Sequence, residues 1–595
     1  MNQMIKKPNI LIILVDEQRF PPPYEDDSIR EWRANNLKAQ EFLLKNGVEF
    51  KNHHAASTAC APSRTTLYTG QYPSLHGVSQ TDGVAKTAFD PGMFWLDPNT
   101  VPTLGDYLRA SGYDTFWKGK WHASNANIIV PDTHDPYLTY ENLTGIPISE
   151  NQHIYLNANR LKNYGFNGWI GPEPHGTNPH NSGASAAIGL SGRDQVYASE
   201  VIKLLNELQH RVNKEQQEQK PWAITASFVN PHDIALFGEF TRMLPQFNFE
   251  IDSSVPPVPP APTAGESLDT KPIAQASYRT TYPKAFQPLK DSETYRKLYY
   301  SLQLTVDKEI DKVLKTLKES VFYNNTIIVY ASDHGDLLGA HGGLFQKWYQ
   351  AYEEAIHLPL IIHNPKLIPQ SISVDMLTSH VDVLPTILGL LGINTASTLE
   401  ELKKYYTEAH PLVGRDLTPL IMGEDTFPGA NEPIYFMTDD DITRGLNQIS
   451  LLGKPYKPVK QPNHIETVIA QLPTGCNNEK ETWKYSRYFD NPQFWSNPGC
   501  EDTNKAMSEP QGSGCNTWQE NNSAADEFEM YNLTKDPIES RNLANPEFAT
   551  VESDTIQAVL AKILAEQCKT KRIYPSSGNV PGKPSCKNCT LDFGI

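Results

Sequence analysis

"NILIILVDEQ", residues 9–18, decides the fold. Six consecutive apolar residues, Ile10 to Val15, stop abruptly at Asp16 and Glu17. So short an apolar run, bounded by charge, suits a strand buried on both faces, as in a parallel sheet. The pattern recurs in "YDTFW" (113–117), "WAITASFV" (222–229) and "TIIVYAS" (326–332). Helix-like stretches precede these three: "TLGDYLRASG" (103–112), "DQVYASEVIKLLNELQHRVNKEQQEQ" (194–219) and "YRKLYYSLQLTVDKEIDKVLKTLKES" (295–320). Such alternation predicts an α/β domain whose central, mostly parallel sheet is covered by helices on both faces.

The proline-rich "VPPVPPAPTAGESLDTKP" (255–272) reads as an extended surface loop, because the βα pattern resumes after it. "HVDVLPTILGLLGI" (380–393) predicts a helix beginning near Pro385. Beyond it the character shifts to shorter strands and turns. The expected division is a catalytic α/β domain over residues 1–429 and a smaller α+β domain over 430–595 with a short antiparallel sheet. In the latter, "TWKYSRYFD" (482–490) and "EFEMYNL" (527–533) read as strands and "TKDPIESRNLA" (534–544) as a turn entering a helix.

The chain has 595 residues, 69 acidic and 52 basic, for a formal charge of −17. That balance disfavours a nucleic-acid partner held by a general basic surface, so an anionic substrate must be attracted locally. The amino end has no small-residue cleavage site after its apolar run and no segment reaches membrane-spanning length, which favours a cytoplasmic location. Six of the seven cysteines, Cys476, Cys500, Cys515, Cys568, Cys586 and Cys589, lie in the last fifth. They keep a periplasmic or secreted location open, and sequence does not choose their pairing.

In open α/β sheets ligands bind beyond the carboxyl ends of the strands. Four predicted strands end in unusual polar groups: Asp16 and Glu17; Lys118, Lys120 and His122; Asn230, Pro231 and His232; Asp333 and His334. Asp16, Glu17, Asp333 and His334 form an oxygen-rich set with one imidazole, suited to a divalent cation. Each alone is more often a turn residue or a helix cap; the set, with its adjacent acidic pairs, points to a metal. His232 follows a stiff Asn-Pro turn and is a candidate proton-transfer group. A lysine taken at random is usually solvated, and strand-end position raises the odds for Lys120; Lys347 adds positive charge further on. Asp439, Asp440 and Asp441 in "YFMTDDDITRG" read preferentially as a solvated turn.

One cysteine stands apart, in "STACAPSRTTLYTG" (57–70). Pro62 suits the first turn of a helix, placing Cys60 at a helix amino terminus. Arg64 lies one turn on, where its charge favours a thiolate. The alternatives are a small buried cysteine or a thiolate nucleophile.

"CAPSR" (60–64) followed by "TTLYTG" resembles the signature of the type I sulfatases of the alkaline phosphatase superfamily. "NILIILVDEQ", "GKWH" (119–122), "NPHD" (230–233) and "SDHGDLLGAHGGLFQKWYQAYEEAIHLPLII" (332–362) are similar to further family landmarks. The resemblance implies that Cys60 is oxidised by a formylglycine-generating enzyme to formylglycine, whose hydrate attacks the sulfur of a small-molecule or saccharide sulfate ester. It implies a divalent metal, calcium first with manganese or magnesium as alternatives, held by Asp16, Glu17, Asp333, His334 and residue 60. Arg64 would orient the hydrate, Lys120 and Lys347 bind sulfate oxygens, His232 protonate the departing alcohol or phenol, and His122 take the proton that lets sulfate leave. Glu17 stands where many members have Asp, and Gln71 where arginine often follows the "TG". A phosphonate monoester or phosphodiester hydrolase is the nearest rival, and a noncatalytic metal- and anion-binding homologue the rival of another class.

Overall fold

The computed structural model describes residues 7–141, 146–174, 192–215, 220–244, 247, 249–424, 427–443, 448–474, 479–491 and 524–576. Of the carboxy-terminal cysteines, Cys476, Cys500, Cys515, Cys586 and Cys589 lie outside these residues, and Cys568 is buried in the last helix.

Among the described residues the first sheet contains eight strands: β1 (Asn9–Asp16), β2 (Val48–His54), β3 (Asp114–Gly119), β4 (Trp222–Pro231), β5 (Thr326–Ser332), β6 (His357–Leu358), β7 (Leu360–His363) and β8 (Ile372–Ser379). Their order is β3-β4-β1-β5-β7-β2-β6, with β8 paired to β2. The four strands β3-β4-β1-β5 run parallel. Side chains alternate across β1: Ile10, Ile12 and Leu14 enter one core, Leu11, Ile13 and Val15 the other. A strand with no solvent face needs apolar residues at every position, hence the unbroken run in the sequence. Each such side chain contributes about 1.5–3 kcal/mol by leaving water.

Five helices matter here: α1 (Cys60–Thr69), α2 (Arg193–Glu215), α3 (Glu293–Glu319), α4 (His380–Leu390) and α5 (Val551–Lys571). Ser292 caps α3 by accepting the Tyr295 N–H. The α4 helix starts at His380, five residues before the position expected from Pro385, which sits inside it. Ser379 and Asp382 form a reciprocal capping box that sets this start. No helix follows "TKDPIESRNLA" directly; α5 begins at Val551, after a Thr550 cap.

A second, antiparallel sheet has the order β12-β11-β10-β9, with β9 (Ile434–Thr438), β10 (His464–Thr474), β11 (Glu479–Phe489) and β12 (Glu527–Asn532). Asp439–Asp441, at the exit of β9, are all buried, which corrects the solvated-turn reading. Among the described residues no single helix is long and apolar enough to cross a membrane.

The proline-rich loop is tied down by an ion triad. His341 Nδ1 meets Glu266 and His341 Nε2 meets Glu354, each at 3.1 Å, while Tyr352 stacks on the ring. Burial opposes charge on this histidine, but Glu354 and Glu266 outweigh it and raise its pKa to about 9. The folded state therefore holds a proton that the unfolded chain releases near pH 6.5. Its contribution is complete below pH 6.5 and is lost as pH rises through 9. In His341→Gln, urea unfolding should show a deficit against wild type that is largest below pH 6.5 and shrinks by about 3 kcal/mol towards pH 9.

Candidate active site

Strand register assembles the site. Val15 pairs with Ser332 and Asp16 with Pro231, so Asp16 lies level with Asp333 on one side and His232 on the other. Gly119 pairs with Ser227, bringing Lys120 to the same edge of the sheet. The four polar endings thus belong to four neighbouring strands.

Arg64, on α1, joins them. Its Nε donates to Asp333 Oδ2 at 2.7 Å and its Nη2 to Asp16 Oδ2 at 3.1 Å. Nη1 donates to Ser227 Oγ at 2.9 Å and to the Lys120 carbonyl at 3.2 Å. Both carboxylates keep their Oδ1 atoms turned away from the guanidinium. Asp333 Oδ1 accepts the backbone N–H groups of Glu17 and His334, at 3.1 and 2.9 Å. Asp16 Oδ1 lies 3.5 Å from His334 Nε2 and 3.9 Å from Cys60 Sγ. Burial would raise the Asp16 carboxyl, yet the fixed charges of Lys120 and Arg64 hold it well below the usual range. Lys120 Nζ bonds Asp16 Oδ2 directly.

Cys60 occupies the first turn of α1, with Sγ 3.0 Å from His334 Nε2. The charge of Arg64, committed to the two aspartates, is not enough to make residue 60 a thiolate. Burial, reinforced by Asp16, pushes the Cys60 thiol up to about 12 against weaker pulls from Lys120 and Lys347. As a thiol, residue 60 is a poor nucleophile at neutral pH.

A divalent cation fits this donor set. Ligand atoms of Asp16, Cys60, Asp333 and His334 lie within 4.8 Å of one another, as do those of Asp16, Glu17 and His232. His334 Nδ1 bonds the Gly335 carbonyl at 3.0 Å, and burial lowers this histidine to about 4, so the ring is neutral with an Nε2 lone pair facing the carboxylates. Glu17 Oε1 is buried with no hydrogen-bond donor among the described residues. Burial raises the Glu17 carboxyl well above its usual value against the pull of Lys347, and nearby Asp336 adds to the rise. Glu17 groups with Asp16 and His232 rather than with the Cys60 set: its Oε2 lies 3.1 Å from Lys347 Nζ and 3.9 Å from His232 Nε2.

His232 is held neutral by burial, although Asp16 works in the opposite direction. Lys347 stays charged: burial opposes this, but Glu17 and Asp16 are among the groups that raise its pKa. The contacts that place His122 are with Asp82 Oδ1 at 2.6 Å, the Glu173 carboxylate on its backbone N–H, and Trp95. Lys118 points elsewhere, donating to the Gly168 carbonyl at 2.5 Å.

A family model described as Sulfatase matches residues 8–393. The chain belongs to the sulfatase family. With the family comes the reaction class, hydrolysis of sulfuric esters. Among curated relatives, a choline-sulfatase of Rhizobium meliloti is 27% identical over 424 residues, covering 70% of this chain and 72% of the relative. An N-acetylglucosamine-6-O-sulfatase of Bacteroides thetaiotaomicron is 26% identical over 416 residues, covering 66% and 70%. Among solved structures, a 2-O GAG sulfatase superposes with a TM-score of 0.58 at 19% identity over 98% of this chain and 96% of that one. A phosphonate monoester hydrolase of Agrobacterium radiobacter does so with 0.56 at 18% identity over 95% and 96%, so the fold alone is common to both.

Sequence reading of this sulfatase missed the groups behind the site. Asp440 Oδ2 accepts the Ala59 N–H and the Trp348 indole N–H, each at 3.1 Å, clamping the residue before Cys60. Asp82 and Glu173 position His122, and Ser227 helps fix Arg64. None carries a local motif. Removing one partner of a buried ion pair costs about 3–5 kcal/mol because the other charge is stranded. Arg64→Gln strands two, so denaturant unfolding should show at least that loss, and added Ca2+ should recover more stability in the variant than in wild type.

Proposed function

We propose that this sulfatase hydrolyses a sulfate monoester to an alcohol or phenol and inorganic sulfate, with residue 60 acting after oxidation to formylglycine. The observation that carries this reading is the position of the Cys60 side chain. It is buried between two carboxylates and a neutral histidine, with its thiol too basic to serve as it is. Oxidation replaces the thiol by an aldehyde whose hydrate offers an oxygen nucleophile. Asp16, Asp333 and His334, with Glu17 approaching from the Asp16 side, would hold a divalent ion, Ca2+ by their oxygen-rich character, which supplies fixed positive charge next to residue 60.

The chain's own side chains do the rest. Arg64 ties the two aspartates together and adds positive charge close to residue 60. Lys120 and Lys347 are buried ammonium groups whose present partners are Asp16 and Glu17. Facing an incoming sulfate group, they offset the charge that builds on its oxygens, an effect magnified where water is excluded. His232 is neutral at rest; the negative charge of a bound ester raises its proton affinity and prepares it to protonate the leaving oxygen. His122, braced by Asp82, removes the proton from the remaining hydroxyl so that sulfate departs and the aldehyde re-forms.

Sulfate esters of small alcohols and of saccharides both fit this reading, as the named substrates of the relatives illustrate. Mass spectrometry of the tryptic peptide containing Cys60, from the native host, should find the aldehyde in place of the thiol. Purified enzyme should turn over aryl sulfates faster than aryl phosphonate monoesters, and Cys60→Ala should turn over neither. An intact thiol in active enzyme overturns the residue-60 assignment, and preference for the phosphonate makes the chain a phosphonate monoester hydrolase.

A separate kinetic test addresses His232. If it protonates the leaving oxygen, His232→Ala should lose about 10²–10⁴-fold in kcat on alkyl sulfates, whose leaving groups need a proton. On nitrophenyl sulfate, which leaves as a stable anion, the loss should be slight. Equal losses on both would assign His232 to binding.

A further inference from the structure

Away from residue 60, a second group of metal-ligating atoms lies where β2 meets β6. His54 and His357 are directly opposed in the antiparallel register of these strands, and Glu353 lies one turn before His357. The two imidazole rings stack at 4.8 Å with 14° between their planes, and Phe20 stacks on His357 at 4.3 Å. One nitrogen of each ring is committed to a backbone carbonyl: His54 Nδ1 to Asn52 at 3.1 Å and His357 Nε2 to Lys51 at 2.6 Å. A carbonyl only accepts, so those nitrogens carry the protons and each neutral ring presents its other nitrogen as a lone pair.

Both lone pairs face one carboxylate oxygen. Glu353 Oε2 lies 3.1 Å from His54 Nε2 and 3.2 Å from His357 Nδ1, and Oε1 is 3.3 Å from His54 Nε2. Lys484 Nζ fixes the other oxygen, Oε1, at 2.8 Å, and also donates to Ala351 and Glu539. Three acceptors pointing at one spot repel one another unless a proton or a cation lies among them, and a proton on one ring still leaves the other ring's lone pair against the carboxylate. Protonating both rings would stack two imidazolium ions beside a lysine, around a single carboxylate. One divalent ion relieves all three contacts at once.

The dimensions agree. Ligands about 2.0–2.2 Å from a tetrahedral ion stand about 3.4 Å apart, close to the two nitrogen–oxygen separations. All three ligand atoms lie within 4.8 Å of one another. The carbonyl bonds supply the outer support that metal-binding histidines typically have. His54, Glu353 and His357 also line a cavity of about 340 Å³ that includes Phe20, Thr482 and Pro537, which leaves room for a fourth ligand from solvent.

We propose that His54, Glu353 and His357 form a second metal site, distinct from that beside residue 60, selective for a nitrogen-preferring divalent ion of the zinc class. Two imidazoles and one carboxylate favour Zn2+ or Co2+ over Ca2+, the reverse of the oxygen-rich catalytic set. The site has a route to the first one. Phe20, four residues after Asp16, donates its N–H to the His357 carbonyl at 2.8 Å, and Gly335, next to His334, donates to Ala355 at 2.8 Å. An ion here pins the segment that supports both metal-binding loops.

The test uses the full chain, stripped with a chelator, saturated with Ca2+ to fill the oxygen-rich set, and titrated with Co2+ alone. Wild type and Asp333→Asn should both develop the visible absorption of low-coordinate Co2+, saturating at one ion per chain, with a rise in melting temperature. His357→Gln should bind Co2+ at least ~10-fold more weakly and lose the rise. His54→Gln should do the same, and if that buried variant does not fold, His357→Gln at the cavity wall carries the test. The proposal is overturned if wild type shows no such absorption, if His357→Gln keeps it unchanged, or if only Asp333→Asn removes it.

Discussion

The structure turns on one guanidinium. Parallel strands with no solvent face can end in charge only where something neutralises it, and β1 and β5 end side by side in Asp16 and Asp333. Two buried carboxylates at neighbouring strand ends repel each other in a medium that screens poorly. Arg64 answers with a planar fork, Nε to one and Nη2 to the other, which a lysine could not match in geometry. Because Arg64 is one turn along α1 from Cys60, satisfying the aspartates also sets the rotation and depth of that helix. Residue 60 is delivered to the carboxylates by the same contact that makes their burial tolerable.

Lys120 and Lys347 extend the logic. Each buried ammonium sits against a buried carboxyl group, Asp16 or Glu17, so the polar groups of the resting site are already assembled in contact. Pairing of this kind adds little net stability once desolvation is counted. It does preorganise: when an anionic group arrives, the lysines are already desolvated and fixed, and no reorganisation of water opposes the developing charge.

Much of this was legible in the sequence, for physical reasons. A doubly buried strand must be apolar throughout, so Ile10–Val15 announced both the sheet and its end, and the polar residues after each run marked the edge where ligands bind. The start of α4 is legible in the capping-box spacing of Ser379 and Asp382, a stronger local signal than Pro385, which the helix accommodates in its interior. Asp440 was not legible. Three consecutive aspartates have the composition of a surface turn, and what buries Asp440 is the Ala59 N–H, 381 residues away in the chain. The same holds for the thiol of Cys60. A nearby arginine suggested a thiolate; burial and Asp16, which no spacing reveals, reverse the direction. Local pattern encodes what an element is, while the charge state of a buried group depends on partners that only tertiary packing supplies.

The histidines show how fine that dependence is. His341 has a carboxylate at each nitrogen, so both nitrogens donate and the ring is a cation that locks Glu266 to Glu354. His334 has a backbone carbonyl at Nδ1, so its other nitrogen is a lone pair aimed at Asp16 and residue 60. His54 and His357 share that second arrangement, each with one carbonyl partner and one nitrogen turned inward. The exposure of the four side chains does not separate the classes, for His341, His334 and His54 are all almost fully buried. What separates them is whether both nitrogens face anions, as in His341, or one faces a backbone carbonyl, as in the other three. An anion on both sides stabilises the imidazolium and makes the ring a structural clamp. A carbonyl on one side fixes which nitrogen carries the proton of a neutral ring and leaves the other able to ligate a metal. The choice between clamp and ligand is thus made one atom beyond the ring, by backbone geometry that the strand pairing dictates.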